Sequence, residues 1–387
     1  MSKDTNVPRI RFKGFTNAWE RDELGDVAEI KTGASDLQDA DSNGKYPFFV
    51  RSKKVERSNK YLFDGEAILI PGEGKLGEIY HYYVGKFDYH QRVYKISNFK
   101  LNGKYVLYYM QKNFKRHALK YTVKATVDSL RLPTITKFQI FSPTNEEQTK
   151  ISLILDRITM LLTLQERKFE LYKQIKKYLL QKMFANKHEI LPQVRFNGFT
   201  ENWKSVQLGK IVNVKDGTHE SPKYYKTGFP LVTSKNLTSK GLDLSDVSLI
   251  SKEDFDSINQ RSKIAIGDII FGMIGTIGTP VLLNQDGFAI KNVALLKKSN
   301  KISNTFLIQL LKSPVFNKYL HIENAGGTQK FLSLNKIRNF KFQCTIHDEQ
   351  QKMGSFFLYF DNLIITQERK KKAYINLKQY LLQNLFC

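Results

Sequence analysis

The feature that most constrains the fold is an opening sequence that occurs twice. Residues 10–19 read IRFKGFTNAW and residues 194–203 read VRFNGFTENW, so arginine, phenylalanine, glycine, threonine and tryptophan recur at matching positions. The two motifs hold both tryptophans of the 387-residue chain. A solenoid needs at least about three repeats. Two copies therefore predict a tandem duplication with two similar halves and pseudo-two-fold symmetry.

Each half ends in a segment with the composition of a long helix. Residues 146–185 contain neither proline nor glycine, and their apolar side chains recur with the seven-residue period of a coiled coil. The same period returns in the second copy, where TLQERK becomes ITQERK and YLLQKMF becomes YLLQNLF. A pseudo-two-fold axis perpendicular to the pair predicts antiparallel partners. The alternative is that each helix packs on its own domain as an ordinary amphipathic helix.

The residues expected to pair along this seam occupy the first and fourth positions of the heptads. They are Ile151, Leu155, Ile158, Leu162, Gln165, Phe357, Phe360, Ile364, Gln367 and Leu381. The glutamines Gln165 and Gln367 fall at the same heptad position in the two copies. A polar pair inside an apolar seam lowers stability but can fix the register of the two helices.

The stretches between the openings and the helices predict a mixed fold. Short β-rich runs such as EAILIP and DIIFGMI alternate there with loops and with one helical stretch in each copy. The predicted fold class is α+β (mixed α/β): two similar globular domains joined by two long antiparallel coiled-coil helices, in a pseudo-two-fold tandem repeat. The predicted boundaries are residues 1–144 and 188–346 for the domains, and residues 145–187 and 347–387 for the helices.

The charge of the chain favours a polyanionic partner. Its 61 lysines and arginines exceed its 37 aspartates and glutamates and give a formal net charge of +24. A field of that size favours nucleic acid as the partner. The chain shows no apolar run of the ~18 residues that a membrane span needs, no apolar signal region at its start and no CxxC spacing. These features predict a cytoplasmic protein without disulfides or a zinc site.

Basic and aromatic residues in predicted loops are the candidates for DNA contact. Lysine and arginine bind phosphates, arginine reads guanine, and asparagine reads adenine. For any single candidate a solvated surface position is the simpler interpretation, so the prediction rests on the group. The candidates are Arg51, Lys53, Lys54, Arg57, Lys75, Lys223, Tyr224, Tyr225, Lys235 and Asn236.

Known catalytic signatures are absent from the sequence. It lacks a GxxxxGK[ST] phosphate loop, the N/D-P-P-Y/F tetrapeptide expected of an amino-methyltransferase, HExxH and GxSxG. Residues 72–77 read GEGKLG, a literal GxGxxG, but the following EIYHYYV has strand character, whereas a dinucleotide site needs a helix there. The run is interpreted as a glycine-rich turn that lets the backbone approach another group closely. We therefore expect no catalytic residue and no metal site in this chain.

The arrangement resembles the specificity subunit of type I restriction–modification enzymes. The residues that carry the resemblance are the helix entries, PTNEEQTKI at residues 143–151 and TIHDEQQKM at residues 345–353, together with the two GFTxxW openings. The similarity extends over essentially the whole chain. The second entry departs from the family pattern, since Thr345 stands where proline is usual and Met353 where isoleucine is usual.

The resemblance implies that each globular domain is a target-recognition domain for one half of a split, asymmetric site in double-stranded DNA. The helices would act as a spacer and as equivalent docking faces for two modification subunits. Those partners would methylate adenine with S-adenosylmethionine, and restriction subunits would add translocation and cleavage with ATP and Mg²⁺. This chain would supply sequence specificity without a cofactor of its own.

Two other functions stay open on the sequence alone. A stand-alone DNA-binding regulator would bind its site without partners and would pair its helices only with each other. An RNA-binding protein or a structural coiled-coil scaffold would use the basic charge or the helices without reading a DNA target. Co-purification with a methyltransferase of similar abundance distinguishes these functions from the first.

Overall fold

The chain forms two compact units that each mix helices and strands, in line with the predicted fold class. The computed structural model describes residues 7–122, 128–274, 277–323 and 331–387. One unit consists of Met1–Gln165 together with Lys370–Cys387, and the other is Glu166–Arg369. The first unit is therefore assembled from two separate stretches of sequence, whereas the second is continuous.

The first unit combines a large sheet, a strand pair and the helices that cover them. Its strands are β1 (Glu20–Glu23), β2 (Glu29–Thr32), β3 (Tyr46–Phe49), β4 (Val55–Ser58), β5 (Phe63–Pro71), β6 (His81–Tyr89), β7 (Val93–Ser97) and β8 (Gln139–Ser142). Its helices are a 3₁₀ turn (Leu37–Asp39), α1 (Leu24–Val27), α2 (Gly103–Tyr121), α3 (Leu132–Thr136) and the first part of α4 (Asn145–Lys182). The sheet has the order β2-β7-β5-β6-β3-β4, and β1 pairs with β8. The β3–β6 pair is parallel.

The core of the first unit lies on both faces of β5. This strand ends in the run AILIP, whose side chains alternate between the two faces of the sheet. Ile68 and Ile70 pack in a cluster with Val106 of α2, while Ala67 and Leu69 belong to a cluster on the other face. A strand that is covered on both faces reads as a continuous apolar run, which explains the composition of this segment.

The second unit repeats this plan with smaller sheets and additional elements. Its strands are β9 (Lys204–Gln207), β10 (Val214–Asp216), β11 (Phe229–Val232), β12 (Leu237–Thr238), β13 (Gly241–Leu242), β14 (Ser248–Ile250), β15 (Ile269–Gly272), β16 (Gly278–Leu282), β17 (Ala289–Ile290), β18 (Val293–Leu296) and β19 (Lys341–Cys344). Its helices are α5 (Leu208–Ile211), a 3₁₀ turn (Ser234–Asn236), α6 (Lys252–Ser262), α7 (Asn304–Lys312), α8 (Pro314–Glu323), α9 (Leu334–Arg338) and the first part of α10 (His347–Asn384). The sheets have the orders β10-β18-β15-β16, β14-β11-β17, β12-β13 and β19-β9.

The central strands show that the two units are built alike. Every residue of β15 is buried, as at the end of β5. The β11–β17 pair is parallel, as β3–β6 is in the first unit. The longer middle of the second unit contains α6 and the β12–β13 hairpin, so the extra residues extend a shared frame.

The long helices contribute to both units, and within each unit their segments run antiparallel. In the second unit, Lys176 of α4 bonds Asp361 of α10, and Phe184, further along the chain, packs on Phe357, earlier in α10. In the first unit, the start of α4 shares a core with the residues that follow α10, such as Leu385. As residue numbers rise along the α4 segment, the numbers of its contacts in the α10 segment fall, which is the antiparallel arrangement.

The predicted pairing residues all lie on buried or half-buried sides of these helices. The buried ones are Ile151, Leu155, Phe357 and Gln367. The half-buried ones are Ile158, Leu162, Gln165, Phe360, Ile364 and Leu381. The Oε1 atoms of Gln165 and Gln367 are buried without a hydrogen-bond partner in the described part of the chain. Each glutamine therefore lowers the stability of its own unit.

In each repeat, an ion pair binds the opening motif to the start of the long helix of that repeat. The Arg11 guanidinium donates through Nε and Nη2 to the two carboxylate oxygens of Glu147, both at 2.8 Å. Arg195 and Glu349 reproduce this pair with the same two distances. The glutamate side chains are 1% and 0% exposed, so they need a cationic partner. The hydrogen bond that each guanidinium donates to its glutamate raises the pKa of that guanidinium.

The glutamine that follows each buried glutamate ties the helix to its domain. Gln148 donates to the carbonyl of Pro143 at 2.8 Å, and Gln350 donates to the carbonyl of Thr345 at 2.7 Å. The amide oxygen of each glutamine accepts a backbone N–H just before α2 or α7. The pair Glu-Gln therefore recurs for structural reasons. Thr345 keeps this carbonyl acceptor although it stands where proline is usual, and its hydroxyl also donates to the Glu349 carboxylate.

The ends of the two long helices complete cores in different units. Phe184, just after α4, is buried against Phe306 and Phe357 in the second unit. Phe386, just after α10, is buried against Tyr105 and Tyr109 in the first unit. The segments YLLQKMF and YLLQNLF are alike because they fill equivalent sites.

We expect Arg11→Ala to destabilise the first unit selectively, because it leaves Glu147 buried without a partner. Breaking a buried ion pair by removing one partner costs about 3–5 kcal/mol. Hydrogen exchange measured by peptide should accelerate in β5 and β7 while β15 and β18 stay protected. Arg195→Ala should give the reverse pattern, and Arg21→Ala, at an exposed arginine, should change neither. Unchanged protection of β5 in Arg11→Ala would contradict the anchoring role.

We also expect Phe386→Ala to weaken the first unit and Phe184→Ala to weaken the second, each by about 3–5 kcal/mol for an emptied aromatic site. Each unit has one buried tryptophan, Trp19 or Trp203, so tryptophan fluorescence reports each unit separately. Urea unfolding is followed in a Trp203→Phe background for the first unit and a Trp19→Phe background for the second. If Phe386→Ala shifts the Trp203 transition instead, the assignment of this segment is wrong.

Candidate nucleic-acid interface

The basic residues predicted in the first unit gather around an open cleft. The cleft has a volume of about 680 Å³ and is lined by the loops after β3, β5 and β6. Arg51, Lys53 and Lys75 line it and are exposed, and Val50 and Ile79 add apolar surface. A cleft with cationic and apolar groups suits the edges of nucleic-acid bases and the phosphates beside them.

Glu73, in the turn after β5, holds two arginines at this cleft. Arg51 Nη1 lies 3.0 Å from Oε2 of Glu73, and Arg92 Nη1 donates to Oε1 of the same carboxylate. The arginine side chains are 43% and 55% exposed. The carboxylate thus fixes two guanidinium groups side by side, and each keeps further N–H groups for a ligand. The sequence pattern indicated Arg51 but neither Arg92 nor Glu73, because nothing in the local pattern links these three residues.

The turn that carries Glu73 is glycine-rich because neighbouring residues pack closely against its backbone. It leads into β6, which agrees with the predicted strand character of EIYHYYV. A Cβ on Gly72 would lie 3.0 Å from the ring of Tyr94. Gly77 has φ +66°, and a Cβ there would lie 2.6 Å from the Cα of Lys115. The matching glycine run of the second copy includes residues 275–276, which lie outside the described residues.

A buried histidine positions the loop that carries Arg92. The Nδ1 atom of His90 accepts the backbone N–H of Arg92 at 3.0 Å, and its Nε2 atom lies 3.2 Å from Asp36. Because Nδ1 accepts, Nε2 carries the proton that points to Asp36. The backbone N–H of Leu37 and the His90 ring lower the pKa of the Asp36 carboxyl.

Two other predicted residues of the first unit interact with the protein itself. Arg57 donates to the carbonyls of Gly44 and Lys45 at 2.7 and 2.9 Å, so it fastens the loop before β3. Lys54 is exposed and lies 2.7 Å from the carboxylate of Glu56. The structure therefore gives Arg57 a structural role, whereas the ammonium of Lys54 remains accessible.

In the second unit, the predicted aromatic and basic residues form an exposed segment between β10 and β11. Lys223, Tyr224 and Tyr225 are exposed, and Lys223 Nζ lies 5.7 Å from the centre of the Tyr225 ring. The N–H of Tyr225 donates to the carbonyl of Leu249 at 2.9 Å, which ties the segment to β14. Exposed tyrosine rings beside a lysine suit base stacking and phosphate contact.

Asn236 occupies a position that does not fit its expected role in reading adenine. It is buried. Its carboxamide accepts the N–H of Thr233 at 3.0 Å and donates to the carbonyls of Asp243 and Asp246 at 3.1 Å each. An amide with these bonds closes a loop and has no free edge for a base. The neighbouring Lys235 is exposed and lies 3.4 Å from the Asp246 carboxylate.

A polar cluster that the sequence did not predict lies at the end of β10. Asp216 accepts from His219 Nε2 at 2.9 Å and from Arg261 of α6. The other ring nitrogen of His219 lies 2.8 Å from Oδ1 of Asn292, which has φ +56°. Burial raises the pKa of Asp216, but the bonds from Arg261 and His219 outweigh it and hold the pKa below its ordinary value. These residues come from distant stretches of the sequence, so no local spacing pattern predicts the cluster.

Within the described ranges, no group of three or more histidine, cysteine, aspartate or glutamate side chains is placed to hold a metal ion. No helix in those ranges combines the length and apolar character needed to cross a membrane. Cys344 and Cys387 are free thiols, and burial raises the pKa of Cys344 to about 12 and that of Cys387 to about 11.

The sequence is similar to known specificity subunits in both halves. The family model for the type I restriction modification DNA specificity domain matches residues 17–176 and 200–377. The type I restriction enzyme EcoDI specificity subunit of Escherichia coli is 29% identical over 189 residues, which are 48% of this chain and 40% of that relative. The type I restriction enzyme MjaVIII specificity subunit of Methanocaldococcus jannaschii is 23% identical over 415 aligned residues, which cover 99% of this chain and 95% of that relative.

Solved structures share the fold. The S subunit of a type I restriction–modification system from M. genitalium has a TM-score of 0.71 and 16% identity, with 98% of this chain and 99% of that chain covered. A chain from a structure on complex assembly and conformational transition of the type I restriction–modification system has a TM-score of 0.53 and 13% identity, with 96% and 98% covered. Because the family model matches both repeats, the chain belongs to the type I restriction–modification DNA specificity family, as a DNA-recognition subunit.

Proposed function

We propose that the chain reads a split, asymmetric target in double-stranded DNA, one half with each unit, and so directs adenine methylation and restriction by partner subunits. One observation carries this proposal: the units share a frame and differ in their exposed loops. The arginine–glutamate anchor recurs in both units. The polar loops are organised around Glu73 in one unit and around Asp216 in the other. Two similar frames with different loop chemistry suit two different half-sites.

The net charge of +24 supports DNA as the partner. A protein that neutralises phosphates releases counterions, which gives affinity for any duplex and makes that affinity depend on salt. Exposed lysines such as Lys53, Lys75 and Lys223 are suited to this general attraction. Base contacts by the loops then select the site.

The chemistry belongs to the partners in this proposal. Modification subunits would bind S-adenosylmethionine and methylate adenine, and restriction subunits would use ATP and Mg²⁺ to translocate and cleave DNA. The proposed cellular location is the cytoplasm, since the target is DNA inside the cell. A stand-alone regulator, an RNA-binding protein and a structural scaffold gain no support from relatives that are specificity subunits.

The repeated helices support docking of two copies of one modification subunit. Tyr178 and Tyr380 hold equivalent positions in the two YLLQ segments and are 56% and 54% exposed. Packing explains why buried residues recur, but it constrains an exposed aromatic side chain only weakly. A shared partner accounts for both tyrosines, since large aromatic side chains are typical anchors of protein interfaces.

Exchange of one domain tests the split target. Residues 20–140 are replaced by the equivalent residues of another family member, and the methylated sites of the assembled hybrid are mapped. We expect one half of the target to change and the other to stay, because the exposed loops of each unit lie within its own fold. The reciprocal exchange of residues 204–345 should change the opposite half. A hybrid that recognises a target changed in both halves would refute the proposal that each unit reads one half-site.

Docking of two partners is tested with Tyr178→Ala and Tyr380→Ala. Truncating an interface anchor typically costs at least about 2 kcal/mol, so each variant should lose one modification subunit from the complex and the double variant should lose both. Native mass spectrometry at fixed subunit concentration gives the stoichiometry. Tyr359→Ala serves as the control, because Tyr359 is exposed but has arginine at its repeat position. Full stoichiometry in the double variant would rule out this docking face.

A further inference from the structure

We propose that Arg51 and Arg92 read guanines on neighbouring base pairs of one half-site, and that Glu73 is the positioning residue that holds both. The inference rests on the proposed function, because it names bases that the first unit reads. It starts from one observation: two exposed guanidinium groups share a single carboxylate at the edge of an open cleft.

Three separate segments converge to make this arrangement. Arg51 comes from the loop after β3, Glu73 from the turn after β5, and Arg92 from the turn between β6 and β7. Arg51 Nη1 lies 3.0 Å from one carboxylate oxygen, and Arg92 Nη1 donates to the other. Groups bound to the two oxygens of one carboxylate are separated by a few ångström, which is comparable with the rise of about 3.4 Å between base pairs.

Guanine is the base whose edge matches a guanidinium. It presents two acceptors, N7 and O6, in the major groove, and arginine donates two parallel N–H groups to them. Adenine presents a donor beside N7, so the second bond is lost there. The bond to Glu73 occupies Nη1 of each arginine and leaves other N–H groups of the fork for the base. Fixing the side chains before binding also lowers the entropy lost on complex formation.

The same contacts argue against a phosphate as the ligand of the two arginines. The Glu73 carboxylate would repel a phosphate held between them, since both carry negative charge at short distance. The acceptor atoms of a guanine edge carry only partial negative charge, so the Glu73 carboxylate repels them less than it repels a phosphate. Lys53 and Lys75 line the same cleft with exposed side chains, and they are suited to the phosphates that position the duplex.

The second unit does not reproduce the pair. The strands β11 and β17 correspond to β3 and β6, because both pairs are parallel and occupy matching places in the repeat. The residues that follow them include Ser234 and Asn292 in place of the two arginines. Neighbouring guanines are therefore expected in one half of the target, and the asymmetry of the site follows from this difference.

The test uses the full chain assembled with its modification subunit and a library of random duplexes, whose bound fraction is sequenced. Arg51→Lys and Arg92→Lys keep the charge but lose the planar fork. Each should reduce the preference for guanine at one position by roughly 5- to 150-fold, the range for a good bidentate contact. The preference in the other half-site should stay, and it shows in the same experiment that the variant is folded and assembled.

Matched substitutions separate positioning from charge. Glu73→Gln should relax both guanine positions together, because it loosens both arginines. Glu56→Gln removes the same charge from the lining of the same cleft but breaks contact with a lysine instead, so base preference should stay unchanged. Lys75→Ala should weaken binding to all sequences alike.

Any of three results would overturn the proposal. One is a uniform loss of affinity for all sequences in Arg51→Lys and Arg92→Lys, which is the behaviour of phosphate contacts. Another is a wild-type target without neighbouring G·C pairs in the half-site that exchange of residues 20–140 assigns to the first unit. The third is base preference that stays unchanged in both arginine variants. A wild-type complex that selects no sequence at all would instead reject the proposed function. A split target that the arginine variants leave unchanged rejects only the guanine assignment.

Discussion

A buried carboxylate needs a cationic partner inside a protein, and in both units that partner comes from the opening motif. Glu147 and Glu349 sit in the first turns of the long helices, and Arg11 and Arg195 bind them through two parallel hydrogen bonds. This pair fixes the point at which each long helix leaves its domain. The adjacent glutamines and the exposed loops depend on that frame, since both are placed relative to the helix start.

The seam of the long helices shows how two similar units become distinct. Lys176 and Lys378 hold the same heptad position, and burial lowers the pKa of both while Asp361 or Asp156 opposes the shift. In the second unit Lys176 bonds Asp361 directly. In the first, the ammonium of Lys378 lies 5.4 Å from the centre of the Tyr108 ring. Because Lys176 and Lys378 have different surroundings, the two helix ends are not interchangeable.

The helices could be predicted from sequence because a seven-residue period is a local property of the chain. Burial at Ile151, Leu155 and Phe357 follows the heptad positions directly. The same period did not reveal that the end of each helix completes a core in the other unit, since heptads describe a seam and not its neighbours. Strand order could not be predicted from the sequence either, because it depends on pairings between distant segments.

The candidate site was predicted only in part, for a related reason. Residue type and loop position found Arg51, Lys53 and Lys75, which line the cleft. Type alone misled for Asn236, because burial and three bonds to its own loop decide its role. Arg92 was not among the predicted residues because only the tertiary fold brings it to Glu73.

The discontinuous first unit has a consequence for synthesis on the ribosome. Residues 1–165 emerge first, yet their core includes Leu385 and Phe386, which are translated after the whole of the second unit. The second unit needs only its own continuous stretch. Domains generally fold as they emerge, the N-terminal one first. Here the unit that is made first is finished after the second, and a nascent chain must carry an unfilled apolar site until Leu385 and Phe386 have been translated.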